Sequence, residues 1–301
     1  MNNPGRSLLA MLFVPGNGRR FLLKARQLDV PALILDLEDS VPAEAKAAGR
    51  ASVCEFLGEA PATAAEQWVR VNSVGSGWIE EDLEATVGPN LAGVIVPKVE
   101  RRDDLAVVLN SLSRLETERS LVRGSIEVIP IIESARGVVN ARHIASVGER
   151  LHTLAFGAAD FCADLGLHGD GMRSELSPTV VHAQVEIVLA CRAEGLRPPH
   201  DGAFTRVRDA AGLALRCRAA KELGFSGKHA IHPDQVPVIV EAFRPSDKEV
   251  VAAREVLLAF EKALMEGRGA IEVNGQMIDE AMVAQARGLI AWAEPPEQPQ
   301  P

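Results

Sequence analysis

The sequence predicts an α/β fold, a (β/α)8 barrel followed by a C-terminal helical extension. Eight short, largely apolar runs alternate with helical segments between residues 8 and 232, which is the element order of such a barrel. Several runs are apolar throughout, as is typical of parallel strands buried on both faces. A doubly wound open sheet is the alternative, but the sequence contains neither a G-x-G-x-x-G pattern after the first run nor a Walker A motif.

The predicted strands differ in strength along the chain. The first six are mainly apolar, whereas the last two, RPPHD and GKHAIH, are weaker. In chain order the eight runs are 8–14, 32–37, 67–71, 93–98, 127–132, 151–156, 197–201 and 227–232.

Helix signals occupy the segments between the strands. The segment 43–56 follows a proline, which is favoured at the start of a helix. The segment 102–115 places its apolar residues roughly on one face. The segment 177–194 begins with Ser-Pro, and 206–223 ends before Gly224, a natural C-cap.

The composition changes after residue 243. We therefore expect the barrel to span residues 1–243 and the helical extension to span residues 244–293. The extension is amphipathic and must bury its apolar face either on its own barrel or on a neighbouring protomer. Its expected elements, with the proline-rich tail that we expect to be disordered, are a helix over 246–267, a hairpin turn at Asn274-Gly275, a helix over 279–293 and the tail 294–301.

Composition and charge exclude several classes of partner. The net charge of −9 argues against nucleic acid, because phosphate neutralisation needs a surplus of Lys and Arg. The N-terminus lacks a secretory cleavage pattern, and no apolar run approaches the ~20 residues of a membrane span. The four cysteines form no C-x-x-C pair and are expected to be reduced. These features predict a cytoplasmic protein without a membrane partner.

Charged side chains follow most of the predicted strands, at the end where barrel enzymes carry their active sites. Because unpaired buried charges are costly, such a cluster needs an explanation. One explanation is a structural ion-pair network, and the other is a divalent metal site with an anion clamp. The residues are Asp36, Glu38, Asp39, Arg70, Asn72, Lys98, Glu133, Asp160 and His232.

Glu133 and Asp160 are the candidate metal ligands. They follow consecutive predicted strands, where two carboxylates can hold one ion between them. With oxygen ligands alone, Mg²⁺ is favoured, and Mn²⁺ is also compatible. The simpler alternative is that Arg136, close to Glu133 in the sequence, forms an ion pair with it.

Eight motifs in register resemble the citrate lyase beta-subunit family, which includes enzymes acting on citryl-CoA, malyl-CoA and citramalyl-CoA. They include ALILDLEDSVPAEAKAAGR, VRVNS, PIIESARGVVNARHI, LAFGAADFCADLG and NGQMIDEAMV, and the resemblance covers residues 6 to about 290. The resemblance implies the phosphoenolpyruvate-binding type of (β/α)8 barrel and an assembly that is a homotrimer or a multiple of one.

The resemblance also implies roles for particular residues. Glu133 and Asp160 match the acids that hold Mg²⁺, and Arg70 matches the arginine that binds the carboxylate of the oxo acid. Glu38 and Asp39 match acids that line the same site. Asp279 matches an acid that related enzymes contribute from a neighbouring protomer. The residues alone leave a second role for Asp279, because it also lies where a helix N-cap would be.

The expected reaction is reversible cleavage of a 3-hydroxyacyl-CoA to an acyl-CoA and a 2-oxo acid. Coenzyme A phosphates need cations, and Arg19, Arg20 and Lys24 are the candidates, with a solvated helix face as the alternative reading. Other functions stay open: a beta subunit that works only inside a citrate lyase complex, an aldolase or lyase acting on a free oxo acid, and malate-synthase-like condensation with thioester hydrolysis. The loop LHGDGMRSELSP departs from the family pattern and leaves the substrate unspecified.

Overall fold

The computed structural model describes residues 8–148, 150–167, 177–273 and 275–293. The tail 294–301, the turn residue Asn274 and residues 168–176 of the loop that departs from the family pattern lie outside these ranges. The chain forms two compact units, one comprising residues 8–243 and the other extending from Arg244 onward.

The first unit is a closed barrel of eight parallel strands in sequential order, so the predicted (β/α)8 fold is confirmed. The barrel closes where β1 pairs with β8, with Met11 opposite His229. In chain order the strands are β1 (Ala10–Pro15), β2 (Ala32–Asp36), β3 (Glu66–Arg70), β4 (Gly93–Val96), β5 (Glu127–Ile132), β6 (Ala155–Phe156), β7 (His200–Asp201) and β8 (Gly227–Ala230).

Alternate residues of the strands pack together in a hydrophobic core. Successive side chains of a strand point to opposite faces, so every second residue lies on the same face. On one such face, Ile34 of β2, Trp68 of β3 and Ile95 of β4 form one cluster, and each is fully buried. Ile129 and Ile131 of β5 join the same cluster. Most of the remaining apolar residues of the barrel strands are buried as well, with Phe13 of β1 partly buried, which explains why the sequence shows continuous apolar runs.

Two histidines lie buried in the last two strands. His200 in β7 and His229 in β8 are each 3% exposed, and their rings meet edge to face with centroids 5.8 Å apart. His200 Nδ1 and His229 Nε2 have no hydrogen-bond partner among the described residues. Burial, together with nearby positive charge, holds the pKa of His229 at about 3 and that of His200 well below its ordinary value. Both rings are therefore neutral at physiological pH.

Helices connect the strands on the outside of the barrel. Their ends use the expected signals: the side chain of Ser177 accepts a hydrogen bond from the amide of Val180, and Gly224 adopts a left-handed conformation. Within the described residues the helices are α1 (Arg19–Ala25), α2 (Lys46–Gly58), α3 (Ile79–Thr86), α4 (Arg102–Glu118), α5 (Ala135–Val139), α6 (Ala141–Ala145), α7 (Ala158–Asp164), α8 (Pro178–Ala193), α9 (Ala210–Leu223) and α10 (Gln235–Phe243).

The second unit contains two helices and a hairpin. Helix α11 (Asp247–Met265) begins with a capping box in which Ser246 and Glu249 bond each other's backbone. The antiparallel strands β9 (Ile271–Val273) and β10 (Gln276–Ile278) lead into helix α12 (Glu280–Ala293). Its small core consists of Phe260, Ile278 and Val283.

None of the helices in the described ranges is both long and apolar enough to cross a bilayer.

Candidate active site

The carboxyl ends of β2 to β6 bring the predicted site residues to one rim of the barrel. Glu38 and Asp39 follow β2, Arg70 is the last residue of β3, and Glu133 directly follows β5. Asp160 lies in the first turn of α7, just after β6. Since all these strands are parallel, their ends face the same side of the barrel.

Arg70 is held by a buried carboxylate beneath it. Its Nε lies 2.7 Å from Asp36 Oδ1 and its Nη2 lies 2.8 Å from Asp36 Oδ2, a bidentate pair. Asp36 is 2% exposed. One edge of the guanidinium is thus engaged in a structural pair, as the ion-network explanation expects. The group at the other end, Nη1, points toward Glu38 and lies 3.4 Å from Asp39 Oδ2.

Glu38 presents one oxygen that lacks a hydrogen bond. Its Oε1 accepts a bond of 2.5 Å from Lys98 Nζ. Its Oε2 is buried and has no hydrogen-bond partner among the described residues. Arg70 Nη1 lies 2.8 Å from that oxygen, so the two charges attract, although the N–H is not directed at Oε2. Burial raises the pKa of Glu38, and the positive charge of Arg70 only partly opposes it.

Glu133 and Asp160 form the candidate cation site. Glu133 is 6% exposed, and its Oε1 accepts a hydrogen bond of 2.7 Å from the amide of Lys98. Burial raises the pKa of Glu133 to about 8, and the negative charges of Asp160 and Glu38 add to the effect. A carboxylate destabilised by burial and like charges is one that a bound cation would stabilise. The donor set therefore fits a hard divalent cation.

Two further observations bear on this pair. A Cβ at Gly157 would lie 2.5 Å from Glu133 Oε2, so a residue without a side chain keeps the space beside the carboxylate open. The Nε of Arg136 lies 3.6 Å from Glu100 Oε2. Arg136 therefore pairs with Glu100, and the simpler alternative of an ion pair with Glu133 is not observed. No cluster of three or more His, Cys, Asp or Glu ligands occurs in the described ranges, and two carboxylates leave positions for water and substrate oxygens.

Lys46 is a site-supporting residue that sequence reasoning did not single out. It is 6% exposed, and its ammonium donates to the carbonyls of Leu37 at 2.6 Å and Glu38 at 2.7 Å. It thereby fixes the backbone that carries Glu38. The only signal in the sequence was a lysine eight residues after Glu38 inside the LEDSVPAEAK motif.

The predicted phosphate-binding cations lie on a neighbouring part of the barrel. The amide of Gly16, just before α1, bonds to Asp36 O at 2.8 Å, which ties the start of this segment to the end of β2. Arg19, Arg20 and Lys24 line an open surface cavity of about 560 Å³ on α1. All three are exposed, so the cavity can accept an anionic ligand.

Asp279 belongs to the second unit. Its Oδ1 accepts hydrogen bonds from the amides of Ala281 at 3.0 Å and Met282 at 3.2 Å. The N-cap role considered from the sequence is therefore present in the structure.

Residues 9–233 match the HpcH/HpaI aldolase/citrate lyase family. The chain is 35% identical over 297 residues to the citrate lyase subunit beta-like protein of Deinococcus radiodurans, covering 97% of this chain and 99% of the relative. It is 32% identical over 294 residues to the mitochondrial citramalyl-CoA lyase of Homo sapiens, covering 94% of this chain and 85% of the relative.

Among solved structures, the chain resembles the protein CitE from Mycobacterium tuberculosis in complex with magnesium, acetoacetate and coenzyme A. The TM-score is 0.75 at 30% sequence identity, with 94% of this chain and 97% of that chain covered. The resemblance to citrate lyase beta subunits that the motifs indicated is confirmed by these matches.

Proposed function

Because this chain belongs to the HpcH/HpaI aldolase/citrate lyase family, we propose that it is a Mg²⁺-dependent lyase that cleaves the carbon–carbon bond of a 3-hydroxyacyl-CoA. The substrate is of the citryl-, malyl- or citramalyl-CoA type, and the products are an acyl-CoA and a 2-oxo acid. One observation carries the proposal: the Glu133–Asp160 pair, the unbonded oxygen of Glu38 and the Arg70 guanidinium meet at one rim.

Glu133 and Asp160 would hold the cation, and Mn²⁺ suits the same oxygen donors. When bound, the cation supplies positive charge that stabilises developing negative charge on the oxo-acid oxygens. The related CitE structure contains magnesium, which supports this assignment.

Arg70 binds the carboxylate next to the reacting carbon. Asp36 fixes the guanidinium through Nε and Nη2. The substrate carboxylate would bind the second N–H of Nη2 and would share Nη1 with Asp39, to which Nη1 donates at 3.4 Å. A guanidinium already locked by a buried partner loses little freedom when it binds a second carboxylate, and it therefore orients the substrate precisely enough for catalysis.

Glu38 acts as the general base in this proposal, with Asp39 beside it in the same site. Glu38 Oε2 accepts the proton of the substrate hydroxyl, and the electrons of that O–H bond form the carbonyl of the oxo acid. The electrons of the broken carbon–carbon bond pass to the acyl α-carbon as an enolate, which then takes up a proton. The raised pKa of Glu38 suits a base, and one such group contributes ~10²–10⁴-fold to the rate.

The proton for the enolate comes from Asp279 of a neighbouring protomer. The extension 244–293 supports such an assembly, because α11 leaves Val251, Leu258 and Met265 exposed at 54%, 67% and 86%, seven residues apart. We propose that residues 244–293 pack on a neighbouring protomer in a homotrimer or a multiple of one. Coenzyme A phosphates bind Arg19, Arg20 and Lys24.

We place the protein in the cytoplasm. None of the four cysteines forms a disulfide, which is usual for a reducing compartment.

The central test uses purified protein, Mg²⁺ and a panel of citryl-, malyl- and citramalyl-CoA, with release of the 2-oxo acid as the readout. Glu133→Gln and Asp160→Asn should each abolish cleavage and Mg²⁺ binding by calorimetry, while the fold is retained by circular dichroism. The matched control is Glu222→Gln, an exposed carboxyl on α9, which should behave as wild type. Wild-type Mg²⁺ affinity in both site variants would refute the metal assignment.

The role of Asp279 has a separate test. Inactive Asp279→Ala and inactive Glu133→Gln proteins are mixed under conditions that allow subunits to exchange. Shared sites should regain activity, because some interfaces then pair an intact Glu133 with an intact Asp279. Absence of recovery, with exchange shown by mass spectrometry, would leave Asp279 as a helix cap only.

A further inference from the structure

Lys98 has an unusual backbone conformation. Its φ is +56°, and Ser120 is the one other non-glycine residue with positive φ in the described ranges. Ser120 lies just after the C-cap of α4, where a left-handed residue is common. Lys98 has no such explanation, since it lies two residues after the end of β4 and not at the end of a helix. A long side chain in this region is unfavourable and is retained where the surroundings impose it.

The left-handed turn lets the main chain and the side chain of Lys98 bond two different acids. The amide donates to Glu133 Oε1 at 2.7 Å. The ammonium donates to Glu38 Oε1 at 2.5 Å and lies 3.6 Å from Asp39 Oδ1. Glu133 is a candidate cation ligand and Glu38 the candidate base, so one residue contacts both halves of the site.

The ammonium of Lys98 is also accessible, because 45% of its side chain is exposed. Arg70 Nη1 contacts Glu38 only from the Oε2 side and without a directed hydrogen bond. The bond from Lys98 is therefore the directed contact that fixes the orientation of this carboxylate, and Oε2 is left facing the site.

From these contacts we propose that Lys98 is a positioning residue that aligns the cation-binding carboxylate with the base. Its strained main chain orients Glu133, and its ammonium orients Glu38. The proposal rests on the proposed function for the roles of the two acids, but its geometry is independent of which thioester is the substrate.

Substitutions at this position separate the main-chain role from the side-chain role. Lys98→Gly keeps the amide and accepts positive φ without strain. Lys98→Val keeps the amide too, but a β-branched residue strongly disfavours this conformation. We expect Lys98→Gly to bind Mg²⁺ within threefold of wild type by calorimetry, and Lys98→Val to bind at least tenfold more weakly.

Thermal unfolding of the cation-free protein gives a second readout of the strain. Lys98→Gly should have a melting temperature equal to or above that of Lys98→Met, because glycine relieves the strained φ. The matched comparison is Glu100→Gly against Glu100→Met, two residues along, where φ is not positive and glycine should be the less stable of the two.

The side-chain role is tested with Lys98→Met and Lys98→Arg. Lys98→Met should bind Mg²⁺ at least as tightly as wild type, since a positive charge has been removed near the cation. Its kcat should fall at least tenfold with KM little changed, because Glu38 is no longer oriented. Lys98→Arg should recover part of kcat. The charge control is Arg218→Met, an exposed cation of α9, which should match wild type.

Equal Mg²⁺ affinity in the glycine and valine variants would overturn the main-chain role, and wild-type kcat in Lys98→Met would overturn the side-chain role. If the wild-type protein cleaves no thioester of the panel, the proposed function fails. The Mg²⁺-binding and unfolding comparisons then still decide whether Lys98 positions Glu133.

Discussion

Replacing Gly157 by alanine should displace Glu133 and disable the cation site. Gly157 has a negative φ of −102°, so the backbone accepts alanine and only space is at issue. The new Cβ would lie 2.5 Å from Glu133 Oε2 and 2.6 Å from Glu133 Cβ, whereas ordinary contact begins at 3.4 Å. The carboxylate must therefore move by almost 1 Å.

The size of the effect follows from that displacement. Overpacking a buried site costs about 1–3 kcal/mol. At 2–4 °C per kcal/mol for a domain of this size, the melting temperature should fall by roughly 2–12 °C. A displacement of about 1 Å in a positioned group can cost ~100-fold in rate. We expect Mg²⁺ binding to weaken by at least about tenfold, equivalent to about 1.4 kcal/mol.

The assay is calorimetric Mg²⁺ titration combined with thermal unfolding. Gly93→Ala is the control for overpacking elsewhere: its Cβ would clash with the Trp68 ring and lie 2.6 Å from Glu127 O, so it should lose stability and keep Mg²⁺ affinity. Gly75→Ala has no neighbour within 4 Å and should be neutral. A Gly157→Ala protein with wild-type Mg²⁺ affinity would refute the reasoning.

Three further outcomes are expected. Arg70→Lys keeps the charge but loses one of the two hydrogen bonds to buried Asp36. Stability should fall by about 1.5–3 kcal/mol in unfolding experiments, and kcat by about 100-fold in steady-state kinetics. Near-normal kinetics would leave Arg70 as a structural partner of Asp36. The pKa values of His200 and His229 in the folded protein lie below the unfolded value near 6.5. Their contribution to stability is therefore complete above pH 6.5 and declines as the pH falls toward 3. At pH 5, His229 alone should lower the free energy of unfolding by about 2 kcal/mol. Melting temperatures measured from pH 5 to 8 should show this decline, and His229→Phe should flatten the dependence of melting temperature on pH. An unchanged dependence in His229→Phe would contradict the lowered pKa of His229. Lys46→Met removes two hydrogen bonds, while Leu37 O still accepts from Asn72 Nδ2 and Glu38 O from the amide of Val41, each at 3.0 Å. Stability should therefore fall by about 0.5–1.5 kcal/mol per lost bond and kcat should fall, whereas unchanged kcat would show that the loop holds its shape alone.

The barrel could be predicted from the sequence because most of its strands place apolar residues on both faces, although β7 and β8 do not. Two strands are much shorter than expected: the sequence predicts 151–156 and 197–201, but β6 and β7 contain only the last two residues of those runs. The hydroxyl of Thr153 bonds to the carbonyls of Arg197 and Pro198, and Pro198 and Pro199 have no amide to donate. Side-chain hydrogen bonds therefore replace main-chain hydrogen bonds between the strands at these positions. The apolar pattern of the sequence does not show this replacement.

The candidate site was only partly predictable. Acids at strand ends identify Glu133 and Asp160 because parallel strands deliver their ends to one rim. The pairing of Arg70 with Asp36 depends on strand register, in which these two residues are opposite each other. The positive φ of Lys98 and the buried ammonium of Lys46 depend on the path of the chain after β4 and β2, which residue types do not specify.

The surplus of acids at the rim has a kinetic consequence. Four carboxylates face two cations there, and Glu133, with its pKa raised to about 8, becomes the fifth when a cation binds. An incoming carboxylate-bearing thioester is therefore repelled while a divalent cation is attracted. The order of arrival is therefore set by charge, with the cation entering before the thioester. Added salt should slow the association of the divalent cation, since charges are screened over ~10 Å at 0.1 M ionic strength. The residues concerned are Asp36, Glu38, Asp39, Glu133 and Asp160 against Arg70 and Lys98.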